Sequence, residues 1–151
     1  MVRLTKKLLF AIEAVLDIAY NAGDLPVQSG EITQRQGIPR RYLEQVLQQL
    51  VRAGVLAGVR GPRGGYRLAR ERRRITLGEI VRVVRELDGA GDPLEETGGA
   101  ALGQRVVRPV WKELNDEVMR RLDAITIEDL CLRAHKDGVP GEYGAKIDFT
   151  I

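Results

Sequence analysis

The stretch Arg60-Gly61-Pro62-Arg63-Gly64-Gly65-Tyr66-Arg67-Leu68 decides the fold of this 151-residue chain. Glycines permit unusual backbone angles and a close approach to a partner, and proline fixes one corner, so the stretch predicts the tip of a β-hairpin. Arginines flank the turn on both sides, which favours an anionic partner. From this stretch alone, a mononucleotide phosphate and a nucleic-acid backbone fit equally well.

The segments on either side of the turn predict two short strands, over residues 55–59 and 66–69, with Tyr66 and Leu68 on one face. A phosphate-binding P-loop needs Gly-Lys-Ser/Thr entering a helix directly after a strand, and the order here is different. The mononucleotide alternative therefore lacks its scaffold, and nucleic acid is the expected partner of the hairpin.

Upstream of the hairpin, the sequence predicts two helices joined by a glycine. Ser29 can cap a short helix over residues 30–36, Gly37 ends it, and Pro39 opens a longer helix that ends at Gly54. The longer helix has one apolar stripe and a second face rich in arginine and glutamine, which can each make paired hydrogen bonds to base edges. A helical hairpin whose polar face only meets water is the alternative interpretation.

A helix-turn-helix followed by a hairpin is the pattern of a winged helix. The predicted fold class is therefore mainly α with a small β-hairpin wing: a winged helix-turn-helix domain plus a long dimerisation helix. A first helix over residues 5–20, capped by Thr5, and a fourth that begins after Thr76 and ends near Leu87 complete the DNA-binding domain. The arginine-rich segment 70–74 is either a basic connector near the duplex or a solvated turn.

Charge is distributed unevenly along the chain, although the net charge is only +3. Residues 1–87 carry 16 Lys and Arg against 8 Asp and Glu, and residues 88–151 carry 8 against 13, so the halves have net charges of +8 and −5. This asymmetry predicts a basic half that attracts polyanions and an acidic half that does not. A merely solvated basic face is the alternative.

Composition excludes several classes of protein. Hydrophobic residues make up 44% and charged residues 30% of the chain, no run of about 18 apolar residues occurs, and no secretory leader pattern is visible, so we expect a cytoplasmic protein without a membrane. The single cysteine, Cys131, excludes an internal disulfide and a multi-cysteine metal site within one chain. Cys131 and His135 are four residues apart, but the predicted helix ends near Arg133, before His135, so we predict no enzyme, no catalytic residue, no metal ligands and no cofactor.

The second half begins with a glycine-rich and acidic stretch over residues 88–103, which predicts a mobile connector. A long amphipathic helix follows over residues 104–124, and Pro109 marks either its start or a kink. The helix needs a partner surface, which a homodimer supplies, and packing back on its own domain is the alternative. The residues predicted at the dimer interface are Val107, Val110, Trp111, Leu114, Val118 and Leu122.

After the long helix, Thr126 caps a short helix, and residues 145–151 alternate as a terminal strand does, with no partner named by the sequence. The predicted organisation is a DNA-binding domain over residues 1–87, a flexible connector over 88–103 and a dimerisation region over 104–151.

With these motifs placed, the chain resembles the IscR-type family of bacterial winged-helix transcription regulators, which includes an iron–sulfur cluster regulator and a cysteine metabolism repressor. The resemblance covers nearly the whole chain. It rests on Arg3-Leu4-Thr5-Lys6, Gln36-Gly37-Ile38, Tyr42-Leu43-Glu44-Gln45, Ala53-Gly54-Val55-Leu56, Ile75-Thr76-Leu77-Gly78-Glu79-Ile80 and, most specifically, the run from Val59 to Ala69.

The resemblance implies a dimer that inserts the second helix of each helix-turn-helix into the major groove and the wing into the minor groove of a palindromic operator. It places Arg41 and Glu44 near base edges, and Arg60 with Gly64 and Gly65 at the wing. In the cluster-binding branch, three cysteines and a further ligand lie in the segment matching residues 88–104, where this chain has neither cysteine nor histidine.

We therefore predict a sequence-specific DNA-binding regulator, a dimeric repressor without an iron–sulfur cluster. The alternative is a module of the same fold that senses a regulatory protein or a small-molecule effector, with DNA binding secondary. Patterns and resemblance together predict DNA contacts from Lys6, Lys7, Arg40, Arg41, Tyr42, Glu44, Gln45, Gln48, Arg60, Arg63, Gly64, Gly65 and Arg67.

Overall fold

The computed structural model describes residues 2–89 and 91–142, so the predicted terminal strand over residues 145–151 lies outside the described residues. Within the described ranges, every helix is too short or too polar to cross a bilayer. The elements in chain order are α1 (Lys6–Tyr20), α2 (Ser29–Gln36), α3 (Arg40–Arg52), β1 (Leu56–Val59), β2 (Gly65–Leu68), a 3₁₀ turn (Arg72–Arg74), α4 (Leu77–Asp88), a π-helical turn (Gly103–Val107), α5 (Arg108–Ala124) and α6 (Ile127–Lys136).

Helix α1 is the centre of the fold, and α2, α3, α4 and α6 all pack against it. Its start is fixed by Thr5, whose hydroxyl accepts a hydrogen bond from the backbone N–H of Leu8 at 3.1 Å. Ala11 and Ala14 are completely buried, and these small side chains let neighbouring helices approach closely. The predicted first helix and its cap are confirmed.

Helices α2 and α3 form the predicted helix-turn-helix. Helix α2 begins at Ser29, one residue earlier than predicted, because the Glu31 carboxylate accepts the backbone N–H of Gln28 at 3.0 Å and fixes the first turn there. Gly37 ends α2 with a φ of 66°, a left-handed conformation that favours glycine. Helix α3 follows and buries Leu43, Val46, Leu47 and Leu50 against the core.

Strands β1 and β2 form the wing, residues 56–68, as an antiparallel pair running from Leu56 opposite Leu68 to Val59 opposite Gly65. A third segment joins this pair through Val27, which forms an antiparallel bridge with Tyr66. The Val27 N–H donates to the Tyr66 carbonyl at 3.0 Å, and the Tyr66 N–H donates to the Val27 carbonyl at 2.8 Å. The wing is thereby fixed to the loop between α1 and α2.

Helix α5 begins at Arg108 with Pro109 at its second residue, so the prediction that Pro109 marks the start of the α-helix is confirmed. Helical backbone starts at residue 101, and a π-helical turn precedes α5, in which the Arg108 N–H reaches back five residues to the Gly103 carbonyl. Pro109 has no N–H to donate and its ring crowds the preceding carbonyls, and the wider π turn before α5 accommodates both effects.

Helix α6 extends to Lys136, so the predicted end near Arg133 is wrong and His135 lies on the helix. The backbone bonds continue until Gly138, whose φ of 75° turns the chain away. Two strand-like hydrogen bonds fix this region to the first domain: Leu77 N–H to the Ile125 carbonyl at 2.9 Å and Ile127 N–H to the Ile75 carbonyl at 2.8 Å.

Candidate nucleic-acid interface

The polar side of α3 forms one continuous exposed face, which we call the reading face: Arg41, Glu44, Gln45 and Gln48. These positions are three and four residues apart, so they lie along one side of the helix, opposite the buried stripe. Arg40 borders the reading face, and its Nε donates to Glu44 Oε1 at 3.1 Å. The arrangement presents arginine, glutamine and carboxylate groups together, and all three can pair with base edges.

Tyr42 is half-buried and faces the core side of α3. Its ring packs against Phe10 of α1 with the centroids 6.2 Å apart. The Arg41 guanidinium lies 4.9 Å from the Tyr42 ring centroid, and Arg41 Nη2 donates to the Tyr42 hydroxyl at 3.1 Å. Tyr42 therefore holds Arg41 in place while attaching α3 to α1.

The tip of the wing carries Arg60 and Arg63, and both side chains are exposed. Within the described part of the chain, neither guanidinium has a hydrogen-bond or ion-pair partner. Two unpaired cations on a protruding turn are suited to phosphate oxygens, to which arginine binds through paired hydrogen bonds.

Gly64 and Gly65 shape the wing because there is no room for a side chain at either position. A Cβ at Gly64 would lie 2.2 Å from the Val59 carbonyl oxygen, and a Cβ at Gly65 would lie 2.4 Å from the Val27 carbonyl oxygen. The Gly64 N–H also donates to the Gly61 carbonyl at 2.9 Å, which closes the turn. Both glycines are therefore needed for the shape and position of the wing itself, independently of any contact with DNA.

Arg67 and Lys7 are held by partners within the chain. The Arg67 guanidinium donates to the backbone carbonyls of Gly23 at 3.2 Å and Asp24 at 2.5 Å, in the loop after α1. Lys7 Nζ pairs with Asp88 Oδ1 at 2.9 Å. Lys6, in contrast, is exposed at the start of α1.

A buried ion pair behind the helix-turn-helix is the main feature that the sequence did not predict. The Asp17 carboxylate on α1 is fully buried and accepts hydrogen bonds from Arg35 Nε at 2.9 Å, Arg35 Nη2 at 2.8 Å and Gln36 Nε2 at 2.8 Å. The hydrogen bond to Asp17 raises the pKa of Arg35, although partial burial opposes this. The only signal for this pair in the sequence is a charged residue within the buried stripe of α1.

An apolar stripe on α5 is exposed in the single chain. Trp111 is 54% exposed. The stripe begins in the π-helical turn and runs along α5: Val107, Val110, Trp111, Leu114 and Val118. Leu122, predicted with them, is half-buried and packs against the core. The opposite side of the helix is attached to α4, where Arg82 donates to both oxygens of Asp123 at 2.8 Å.

The residues present do not fit a cluster bound by thiolates. Cys131 is fully buried on α6, and its burial raises the pKa of the thiol to about 11, against a smaller opposing effect of Arg72. His135 is exposed, one helical turn further on. In the described ranges, no three His, Cys, Asp or Glu side chains are grouped as metal ligands would be.

Comparison with known proteins gives a consistent result. Residues 4–133 match the model of the Rrf2 family, described as an iron-dependent transcriptional regulator. The HTH-type transcriptional regulator IscR of Cronobacter sakazakii is 37% identical over 129 residues, which cover 85% of this chain and 79% of the relative.

Two solved structures are similar over most of their length. CymR, described as the global cysteine regulator of B. subtilis, is 31% identical with a TM-score of 0.70, covering 88% of this chain and 98% of that one. IscR of T. potens is also 31% identical, with a TM-score of 0.73, covering 91% of this chain and 92% of that one.

Proposed function

The chain belongs to the Rrf2 family of DNA-binding transcriptional regulators, and we propose that it is a homodimeric repressor that binds a palindromic operator without an iron–sulfur cluster. The observation that carries this proposal is the pairing of an exposed reading face on α3 with unpaired arginines at the tip of the wing. The reading face supplies sequence preference through base edges, and the wing supplies affinity through phosphates.

The internal contacts divide the predicted DNA-binding residues into two groups. Arg67, Gly64 and Gly65 hold the wing, and Tyr42 holds Arg41, so they support the interface from behind. The residues that we propose to touch DNA directly are Lys6, Arg40, Arg41, Glu44, Gln45, Gln48, Arg60 and Arg63. Lys7 can join them only if it gives up its ion pair with Asp88.

The apolar stripe of α5 supports the homodimer. A row of valines, leucine and tryptophan in water is costly, and a second copy of the same helix buries it with self-complementary chemistry. Two-fold symmetry then places two reading faces on one side of the dimer, which requires an inverted repeat in the DNA. If that operator overlaps a promoter, the bound dimer occupies the site of RNA polymerase and represses transcription. The proposed place of action is the cytoplasm.

Absence of a cluster is proposed from the ligand chemistry alone. The segment 88–104 supplies neither thiol nor imidazole, and the one thiol of the chain is buried on α6 with a pKa of about 11. Protein purified under anaerobic conditions should show no visible absorption band. A brown protein with iron and sulfide in stoichiometric amounts would overturn this part of the proposal.

A salt titration tests the interface. We would select duplexes from a random-sequence pool and measure binding by the wild type, Arg60→Ala and the control Arg120→Ala, which removes an exposed arginine on α5. Arg60→Ala should weaken binding by about 1–3 kcal/mol and lower the salt slope by about one, because one phosphate or groove contact is lost. Arg120→Ala should match the wild type. Failure of the wild type to bind any duplex at low salt would contradict the proposed interface.

A charge reversal in the stripe tests the dimer. Trp111→Glu should yield a monomer in sedimentation velocity, whereas Lys112→Glu, the adjacent position facing away from the stripe, should leave the dimer intact. The monomer should bind the selected palindrome more weakly and lose its preference for two half-sites. A Trp111→Glu protein that remains a dimer would place the interface elsewhere.

A further inference from the structure

A cavity of about 580 Å³ lies between the N-terminal end of α1, the C-terminal half of α4 and the segment that follows α4. Its volume is in the range of small-molecule sites. Leu8, Val81, Val84 and Pro93 provide an apolar wall. Its lining includes none of the residues predicted to contact DNA, so the cavity is separate from the nucleic-acid interface.

Arg85 of α4 lines this cavity and is short of acceptors. Its Nε and Nη2 atoms are shielded from solvent and meet no hydrogen-bond partner among the described residues. A guanidinium carries only hydrogen-bond donors, and a shielded charged donor without an acceptor is strongly unfavourable. Arg82, one turn earlier on the same helix, has a carboxylate of its own in Asp123. An unsatisfied arginine beside a cavity points to an acceptor that a ligand would supply.

The same cavity also carries carboxylates, which restricts the ligand further. Glu86, Glu95, Asp92 and Asp88 line it, of which Asp88 is paired with Lys7, and Arg3 adds a second cation at the edge near α1. The backbone N–H of Leu94 donates to Asp92 at 2.9 Å and lowers the pKa of that carboxyl, so Asp92 is ionised at neutral pH.

Neither a simple anion nor a simple cation suits this lining. An anion would gain Arg85 but approach Glu86 and Glu95. A cation would gain those carboxylates but leave the Arg85 donors unsatisfied. A molecule with one negative charge, one positive charge and an apolar body suits Arg85, the carboxylates and the apolar wall together.

We propose that this cavity binds a small zwitterion, an amino acid with an apolar side chain. Its carboxylate accepts hydrogen bonds from Arg85, which presents its Nε and Nη2 edge by rotation about the end of its side chain. Its ammonium group lies among the acidic side chains, and its apolar side chain packs on Leu8, Val81 and Val84. This goes beyond DNA recognition, and binding here requires no DNA.

The test is titration calorimetry on the full chain without DNA, with L-valine, L-leucine, L-methionine and L-phenylalanine as probes. At least one should bind, and its analogues that lack one charge should bind at least tenfold more weakly; for leucine these are 4-methylpentanoate and 3-methylbutylamine. Arg85→Met should abolish binding without lowering the melting temperature, because the apolar stem remains and the unsatisfied donors are gone. Arg82→Met, which changes the same charge on the same helix outside the cavity, should still bind.

Several results would overturn the proposal: no binding by any of the four amino acids, equal binding by either single-charge analogue, or full binding by Arg85→Met. If both Arg85→Met and Arg85→Gln unfold, Arg85 serves the fold and the proposal is also wrong. DNA binding is measured separately, so failure here leaves the proposed operator recognition untouched.

Discussion

Replacement of Gly65 by alanine should detach the wing from the body of the domain. A Cβ at this position would lie 2.4 Å from the Val27 carbonyl oxygen and 2.7 Å from its carbon, about 1 Å closer than an ordinary contact. Both atoms belong to backbone, so no side chain can turn away to make room. The bridge between Val27 and Tyr66 must open instead.

The magnitude follows from what that bridge contains. Two backbone hydrogen bonds, at 3.0 and 2.8 Å, are lost, at about 0.5–1.5 kcal/mol each. Alanine recovers about 0.4–1 kcal/mol by restricting the unfolded chain, so Gly65→Ala should lower the free energy of unfolding by about 1–2 kcal/mol. Gly58→Ala is the matched control, because its Cβ would enter open space on the same hairpin.

Urea denaturation followed by circular dichroism measures both variants against the wild type. Gly58→Ala should be as stable as the wild type or slightly more stable, and Gly65→Ala should also bind duplex DNA more weakly because the wing is displaced. Equal denaturation midpoints for Gly65→Ala and Gly58→Ala would refute the reasoning, since they would show that the Val27 bridge contributes nothing.

Two further predictions concern buried polar groups. Asp17→Ala should lower the free energy of unfolding by about 2–4 kcal/mol, because it leaves Arg35 and Gln36 without their shared acceptor. The partial exposure of Arg35 moderates this loss. An unchanged urea midpoint would contradict the prediction. The Cys131 thiol, with a pKa of about 11, is ionised in roughly one molecule per thousand at pH 8. A thiol reagent should therefore label the native protein at least about 100-fold more slowly than the unfolded protein. Comparable labelling rates would show that α6 opens readily.

Local signals in the sequence predicted most of the fold. Thr5 and Thr76 cap the helices that they were expected to cap, and Gly37 ends α2 as a left-handed residue. These predictions succeed because capping and glycine conformation depend on atoms within a few residues along the chain.

Contacts between distant segments were not predictable in the same way. The bridge of Val27 to Tyr66 involves a single residue on one side, which is too short to produce an alternating pattern. Arg67 resembles a free wing arginine in the sequence, yet its partners are carbonyls more than 40 residues away. Periodicity assigns a residue to a face, but it does not identify the partner across that face.

Backbone geometry accounts for the remaining differences. Pro109 lies at the start of α5, as one of the two predictions has it, but the π turn that precedes it was not predictable from the sequence pattern. The predicted end of α6 near Arg133 is wrong because no residue there stops the helix, and the first residue that turns the chain away is Gly138. Helix ends are the least certain feature of any sequence pattern.

The three hydrogen bonds on Asp17 couple the motion of α1 to that of α2. The part of α1 from Leu8 to Asp17 spans about 13 Å, so a tilt of about 5° about the end near Leu8 would move Asp17 by about 1 Å. Helix α2 should move with Asp17, because Arg35 and Gln36 of α2 both donate hydrogen bonds to its carboxylate. Helix α3 packs on α2, and a displacement of about 1 Å exceeds the tolerance of a hydrogen bond to a base, so a small tilt of α1 that passes through α2 to α3 would move the reading face away from its bases.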